Sequence, residues 1–388
     1  MDVYKKALES HEKWGGKWQV QSKANVGNKD DLAVAYTPGV AQPCLEIKKD
    51  KQNAYKYTLK NNLVAVISDG SAVLGLGNIG GLAGLPVMEG KCILFKEFGG
   101  VDAIPLVLDT QDTNEIINTI KNVSISFGGI NLEDISAPRC FEIEEKLKEI
   151  LDIPVFHDDQ HGTAIVVLAG VINSLKLVGK SFKNAKFVIN GMGAAGTSIA
   201  KLLMEYGAQN MLCCDKDGIL NDNNAVLPHH KQLVSLTNSH NKVGTLADAL
   251  VGADVFVGVS VAGCVTQDMV KSMAKNSVLF AMANPQPEIL PQLAKEAGAK
   301  VVGTGRSDYP NQINNVLAFP GVFRGAFDAK AKQITQQMKL SAAQAIASLV
   351  SDDELDENYV IPSPFDKRVA QAVAQAVKNT AEQQGIVR

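Results

Sequence analysis

The sequence predicts an α/β architecture: an N-terminal α/β domain followed by a doubly wound domain built on a parallel sheet. Two observations carry this. Short apolar runs rich in β-branched residues alternate with helical patterns, and several lack polar alternation, as strands buried on both faces of a parallel sheet require. One such run leads directly into Gly191-x-Gly193-x-x-Gly196 and a helical segment, the strand, tight turn and helix of a doubly wound sheet.

The strand candidates are LVAVI (63–67), SISFGGI (124–130), IPVF (153–156), FVIN (187–190), NMLCC (210–214), VFVGV (255–259), VLFAM (278–282) and VVG (301–303). Crossover helices are expected at 141–151, 197–206 and 290–297. A helical stretch at 163–178, with Gly179 as its C-cap candidate, marks the border between a domain over 1–160 and a Rossmann-type domain over 161–388. Near the end, Val369, Ala372, Val373, Ala376 and Val377 share one face of an amphipathic closing helix.

The 388 residues suit two domains at roughly 100–200 residues each. With 38 basic and 41 acidic side chains and no long basic run, bulk charge offers nothing to nucleic acid or an anionic membrane. The opening MDVYKKALES lacks the apolar core of a secretory leader, and no apolar stretch approaches the ~20 residues that cross a bilayer. A cytoplasmic location is expected. The cysteines at 44, 92, 140, 213, 214 and 264 form no C-x-x-C pair or zinc spacing, and read as reduced, mostly buried thiols.

In the Gly191 block the first glycine permits the tight turn, Gly193 lets the backbone approach a pyrophosphate, and Gly196 lets helix and strand pack, with Ala194 and Ala195 between them. Asp215 stands at the end of the next strand, where an acid reaches a ribose 2′-hydroxyl. Dinucleotide binding follows. Asp215 would repel a 2′-phosphate, so NAD is favoured over NADP, although Lys216 softens the discrimination. A second match, Gly75-x-Gly77-x-x-Gly80, fails as such a turn. The polar SDGS separates it from the strand, and GGLAGLPVMEGK, full of glycine and broken by Pro86, predicts no helix. It is either a backbone-lined loop at a cleft or a tight connection.

Glu133-Asp134 and His157-Asp158-Asp159 each follow a strand candidate, where parallel sheets place their clefts. Carboxylates converging there repel one another without a cation, and all-oxygen ligands suit Mg²⁺ or Mn²⁺. Singly, either pair is an ordinary surface turn. His157 and His161 compete poorly as ligands against so many carboxylates, and His229 and His230 read as solvated in a polar loop. Lys91 precedes the apolar CILF (92–95), where a lysine is ordinarily a solvated strand flank, and Tyr36 lies in a plausible Tyr-Thr-Pro-Gly turn.

In order, AYTPGVA (35–41), DGSAVLGLGNIG (69–80), LPVMEGKCILF (85–95), NLEDI (131–135), PVFHDDQHGTA (154–164), VINGMGAAG (188–196), ANPQPE (283–288) and NQINNVLAFPGVFRGA (311–326) closely resemble malic enzymes of the compact bacterial type. The resemblance implies NAD-dependent oxidative decarboxylation of (S)-malate to pyruvate and CO₂. It implies Tyr36 and Lys91 as catalytic acid and base, and Glu133, Asp134 and Asp159 as ligands of Mg²⁺ or Mn²⁺ with Asp158 in support. It also implies Asn284 and one or both of Asn314 and Asn315 as contacts to substrate or nicotinamide ribose. Larger relatives carry a substrate-gripping arginine in the DG-x-x-LGLG segment, whereas here Ser71 and Ala72 fill the gap. A homodimer is expected, with the segment bearing Tyr36 reaching a partner's cleft.

As a base, Lys91 must be neutral. For a free amine at pKa ~10.4 that costs roughly 4 kcal/mol near neutral pH, to be met by burial and a nearby cation. The competing readings are a malolactic enzyme, an oxaloacetate decarboxylase and a non-catalytic NAD-sensing module. The larger size usual among malolactic enzymes argues against the first, and the intact Gly191 block against the second. The joint presence of Tyr36, Lys91 and the carboxylates argues against the third.

Overall fold

The computed structural model describes residues 3–73 and 75–388; Met1 and Asp2 of the opening segment and Leu74 of the glycine-rich loop lie outside the described residues. The chain starts as a helical arm of α1 (Val3–Trp14), α2 (Lys29–Ala35), α3 (Ala41–Lys49) and α4 (Ala54–Tyr57), none of which buries a residue.

Four parallel strands then form the first sheet: β1 (Leu63–Ser68), β2 (Asp102–Val107), β3 (Gly129–Leu132) and β4 (Val155–His157), in the order β2-β1-β3-β4. Every residue of β1, β3 and β4 is buried, which explains their unbroken apolar character. The crossovers are α5 (Gly81–Gly99), α6 (Thr113–Val123), capped by Asp112 accepting from Glu115 N at 2.9 Å, and α7 (Arg139–Ile150).

Two expectations fail here. A nineteen-residue helix, α5, does follow Gly80, and CILF lies inside it rather than in a strand. Its buried residues Met88, Lys91, Cys92, Phe95 and Gly99 recur at helical spacing. The glycines serve close approach: a Cβ on Gly81 would stand 2.6 Å from the Leu108 carbonyl oxygen. Pro86 removes a bond to the carbonyl of residue 82, on a side where Leu82 faces solvent. In SISFGGI, residues 124–126 form a 3₁₀ turn and the strand begins only at Gly129.

α8 (Asp158–Leu177) leads into the second sheet, so the border expected at 160–161 falls within the first turn of a single helix. β5 (Lys186–Asn190), β6 (Asn210–Asp215), β7 (Gly218–Ile219), β8 (Val255–Gly258), β9 (Val278–Ala281) and β10 (Val301–Thr304) lie in the order β10-β9-β8-β5-β6-β7. All pair parallel except β7 on β6. α9 (Ala194–Tyr206), α10 (Pro228–Thr237), α11 (Leu246–Leu250), α12 (Gln267–Ser272) and α13 (Pro291–Glu296) connect them. The chain winds to opposite sides of β5, toward β6 and β8, which opens a crevice at the carboxyl ends of β5 and β8.

The closing layer is α14 (Phe319–Asp328), α15 (Gln336–Ser348) and α16 (Arg368–Gln383), the last burying Val369, Val373 and Val377 as its periodicity predicts. Phe319 and Phe323 stack edge-on against Phe95 of α5 at 4.7 and 5.3 Å, so this layer packs on the first sheet's helix as well. One apolar core therefore runs from Val64 and Phe95 through α8 to Phe280 and Val373. Among the described residues no helix is long and apolar enough to cross a membrane.

α14 and α16 approach closely at two glycines. A Cβ on Gly321 would lie 2.7 Å from Val373 Cβ, and one on Gly325 would overlap the Ala374 carbonyl oxygen. Gly325→Ala is predicted to destabilise the fold by about 1–3 kcal/mol, measurable by urea denaturation; wild-type stability would show that the two helices can separate without penalty.

Candidate active site

The crevice of the second sheet is built by glycine. Gly191, at φ 100°, turns the chain where a Cβ would stand 2.6 Å from the Val259 carbonyl oxygen, and a Cβ on Gly196 would overlap the Gly191 carbonyl oxygen. Gly193, the N-cap of α9, has open space where its Cβ would be, and Ala194 and Ala195 begin the helix whose N-terminus faces that space. Asp215 ends β6 with its side chain 34% exposed.

His229 and His230 are not solvated: both are buried on α10, packed under this loop with Leu233 and Val234. Each Nε2 lies within hydrogen-bond distance of the Met192 carbonyl oxygen, at 3.1 and 3.2 Å. A carbonyl only accepts, so both rings carry their proton on Nε2. Burial, with His230 adding, pushes His229 below the usual histidine range.

The metal-type cluster comes from register. Leu132 of β3 pairs with His157 of β4, so Glu133-Asp134 and Asp158-Asp159 leave neighbouring strand ends side by side. One carboxylate oxygen from each of Glu133, Asp134 and Asp159 lies within 4.8 Å of the others. Asp134 takes a left-handed backbone, φ 54°, and its N–H donates to Asp159 Oδ2 at 2.8 Å. Lys91 Nζ lies 2.8 Å from Glu133 Oε1 and 2.6 Å from Asp158 Oδ2, over the Phe319 ring at 4.3 Å. Asn131 donates to Glu133 Oε2 at 2.9 Å, and Asn315 donates to Asp158 Oδ2.

These charges do not balance. Burial, then Asp159 and Glu133, push the Asp134 carboxyl up to about 9; burial with Asp158 raises Asp159 to about 6, although Lys91 opposes. Burial also brings Asp158 up to about 7 against the pull of Lys91. Asp134 Oδ2 and Asp158 Oδ1 are buried without a partner. Buried, partnerless carboxylate oxygens in an all-oxygen nest fit a hard divalent cation held by Glu133, Asp134 and Asp159. His157 is fully buried, its ring nitrogens unpartnered and Nδ1 3.7 Å from Asp159 Oδ2, and burial keeps it neutral.

Without an ion in the triad, the cation that a neutral Lys91 calls for is missing. Burial disfavours its charge, but Asp158 and then Glu133 outweigh burial and raise its pKa. Nor does it flank a strand: it lies mid-helix in α5, 7% exposed.

The two sheets face each other across this space, because a Cβ on Gly75 would lie 3.4 Å from the Asn284 carbonyl oxygen beyond β9. The second glycine-rich loop is thus the backbone-lined wall of a cleft. Residues 15–148 match the family described as "Malic enzyme, N-terminal domain", and residues 160–382 match "Malic enzyme, NAD binding domain". The chain belongs to the malic enzyme family. It is 56% identical to a "Bifunctional malic/malolactic enzyme" of Bacillus subtilis, over 100% of this chain and 95% of the relative. A Geobacillus stearothermophilus "NAD-dependent malic enzyme" is 55% identical over 96% and 78%. The solved malic enzyme of Pyrococcus horikoshii matches with TM-score 0.95 at 48% identity, over 100% of this chain and 92% of that one.

Of the residues expected to act in a malic enzyme, Lys91, Glu133, Asp134, Asp158, Asp159 and Asn315 meet in one cluster. Asn284 lies exposed at the cleft wall. Asn314 uses Oδ1 to accept from Val316 N at 3.0 Å, capping a short turn. Tyr36 stands apart, 67% exposed on the arm just after α2.

Two braces were not read from the sequence. Arg139 donates to Asp69 Oδ2 at 2.9 Å, Ser71 Oγ at 2.9 Å, Ser136 Oγ at 3.1 Å and the Gln111 carbonyl oxygen at 2.7 Å. It locks the Asp69–Ala72 turn, whose Ala72 N–H donates to the Asp134 carbonyl oxygen at 2.9 Å. Glu288, fully buried, accepts the N–H groups of Ser260 and Ala283, each at 2.9 Å, and ties together the loops after β8 and β9. Its place in ANPQPE was visible, but not its partners.

Raised carboxyl pKa values mean that the metal-free native state binds more protons than the unfolded chain between the usual carboxylate range and about 9. Stability is therefore lost as pH rises through that window, while the Lys91 contribution stays whole below its unfolded pKa. Mg²⁺ is predicted to raise the melting temperature of EDTA-stripped protein more at about pH 8 than at about pH 5.5. Equal shifts in a thermal scan would contradict the assignment of the nest as a cation site.

Proposed function

We propose that this chain oxidises and decarboxylates (S)-malate to pyruvate and CO₂, with NAD⁺ as hydride acceptor and Mg²⁺ or Mn²⁺ as essential ion. The observation that carries this is the convergence of Glu133, Asp134 and Asp159 around a shared point, with Lys91 wedged between Glu133 and Asp158. Glu133, Asp134 and Asp159 would hold the divalent ion, which would supply positive charge to stabilise oxyanion character at C2. Glu133 cannot serve a cation and the Lys91 ammonium equally, so an ion in the triad would weaken the hold that keeps Lys91 protonated, and the ammonium's extra proton would pass to Asp158 Oδ2, 2.6 Å away. Lys91 Nζ then accepts the C2 hydroxyl proton, while Asp158, fixed by Asn315, keeps the amine aimed. Phe319 covers one face of the amine and excludes water there. Asn284, with one or both of Asn314 and Asn315, contacts the substrate or the nicotinamide ribose.

Tyr36 donates the proton that C3 needs after CO₂ leaves, and it does so from a second copy of the chain. Supporting a homodimer, the arm that bears it exposes Leu8, Trp14, Leu32, Val34 and Leu45 and buries nothing within one chain. Asp215, at the end of β6, supports NAD over NADP. The cysteines, all free, suit a cytoplasmic location. A second reading is favoured by the name of the Bacillus subtilis relative: NADH retained in the cleft reduces pyruvate to lactate.

With malate, NAD⁺ and Mn²⁺, free NADH and pyruvate are expected by absorbance and product analysis; lactate without NADH would establish the second reading. Lys91→Ala is predicted to lower malate-dependent turnover by about 10²–10⁴-fold while NAD binding, followed by fluorescence, persists. Near-normal turnover would remove Lys91 as base. Mixing inactive Lys91→Ala with inactive Tyr36→Phe is predicted to restore about a quarter of wild-type activity, because hybrid dimers regain one intact site. No recovery after subunit exchange would place Tyr36 in its own chain's cleft.

A further inference from the structure

Behind the acidic cluster lies a buried polar chain that the proposed chemistry does not use. Glu144 of α7 is buried, and its Oε1 accepts the His157 N–H at 3.1 Å. Both its oxygens lie 2.9 Å from His161 Nε2, and Lys148 Nζ is 2.7 Å from Oε1. On the far side of the imidazole, Lys339 Nζ of α15 stands 3.0 Å from Nδ1. His161 and Lys148 outweigh burial and hold Glu144 well below the usual carboxylate range, so it is ionised and only accepts. The His161 proton is therefore on Nε2, and Nδ1 is left to accept from Lys339.

The placement is specific. His157 N–H is the last donor of β4 and His161 lies one helical turn later, so a single carboxylate staples both ends of the turn that carries Asp158 and Asp159. Lys339 is 4% exposed and, among the described residues, has no carboxylate in hydrogen-bond contact, an expensive residue to bury for packing alone. A cavity of about 30 Å³, room for one water, lies beside it between His161, Ser198, Lys201 and Gln336.

We propose that Lys339, His161 and Glu144 form a positioning relay that fixes the first turn of α8, so that affinity for the divalent ion at Asp159 depends on the closing helix α15. Glu144 sets the imidazole tautomer, Lys339 anchors the ring from Nδ1, and the anchored ring keeps Glu144 at the strand-to-helix junction. These are positioning residues, since none touches the triad through its own side chain. The relay rests on the reading of Glu133, Asp134 and Asp159 as ion ligands.

The test is Mn²⁺ binding to EDTA-stripped protein, measured by calorimetry and by electron paramagnetic resonance of free Mn²⁺. Lys339→Met and Glu144→Gln are expected to weaken binding about 10-fold or more, while kcat at saturating Mn²⁺ stays near wild type. Asn173→Ala provides the control for general destabilisation. Asn173 donates to the Ala347 and Val360 carbonyl oxygens at 2.9 and 3.0 Å from the same helix, and its loss should lower the melting temperature without changing Mn²⁺ affinity. Nitrogen NMR of histidine-labelled protein should show His161 as the Nε2–H tautomer in wild type and in Lys339→Met, with the Nδ1 resonance shifted where the Lys339 donor is lost. Wild-type Mn²⁺ affinity in Lys339→Met would overturn the relay; should that variant not fold, wild-type affinity in Glu144→Gln would overturn it equally. Asp159→Asn separates the two readings: if it too leaves Mn²⁺ binding intact, the triad assignment fails rather than the relay.

Discussion

Electrostatic repulsion among Glu133, Asp134, Asp158 and Asp159 is the constraint around which the first domain is arranged. Two adjacent parallel strands deliver these groups to one point, because Leu132 and His157 share a register. A shift of that register would carry the pairs apart and relieve the repulsion. The shift is prevented by burial: β3 and β4 are covered on both faces, so any slip must disrupt apolar packing along the sheet. The site's unfavourable charge is thus held in place by the core.

Lys91 answers part of that charge, and its position on α5 explains the unusual composition of the helix. To bring an amine between Glu133 and Asp158, the helix must start hard against the loops after β1 and β2. Gly81 allows this where any side chain would strike Leu108. The same helix then meets Phe319 and Phe323 of α14 through Phe95, so the layer closing the second sheet also seats the amine of the first. Together with α8, which begins at Asp158 and ends among the core of the other sheet, this makes the cleft a joint property of both sheets.

How much was legible follows from the range over which each feature is specified. Buried strands announce themselves locally, and β5, β6, β8, β9 and β10 lie within a residue or two of their apolar runs. The Gly191 turn is equally local, with its three glycines doing three separate steric tasks. The acidic pairs were visible as strand-end residues, but their meeting depended on β3 lying beside β4, which no spacing in the chain reports. β2, with Pro105 and a partly exposed face, gave a weak pattern and went unread. α5 was misread because glycine and proline lower helix propensity, whereas tertiary approach here required them. His229 and His230 look polar in sequence but find one buried carbonyl, Met192, from a different element. The partners of Lys91 were hidden for the same reason: Glu133 and Asp158 are distant from it in the chain.

The braces around the cluster now have a common physical cause. Like charges gathered on flexible turns would spread until solvent screened them. Asn131 fixes Glu133, Asn315 fixes Asp158, and Arg139 binds the Asp69–Ala72 turn to the carbonyl side of Asp134. Each brace leaves other carboxylate oxygens free, notably Asp134 Oδ2 and Asp158 Oδ1. A network intended only to neutralise the nest would engage those oxygens first. That it holds the geometry while sparing them is what a site requires if its remaining valence is reserved for a cation and a hydroxy acid.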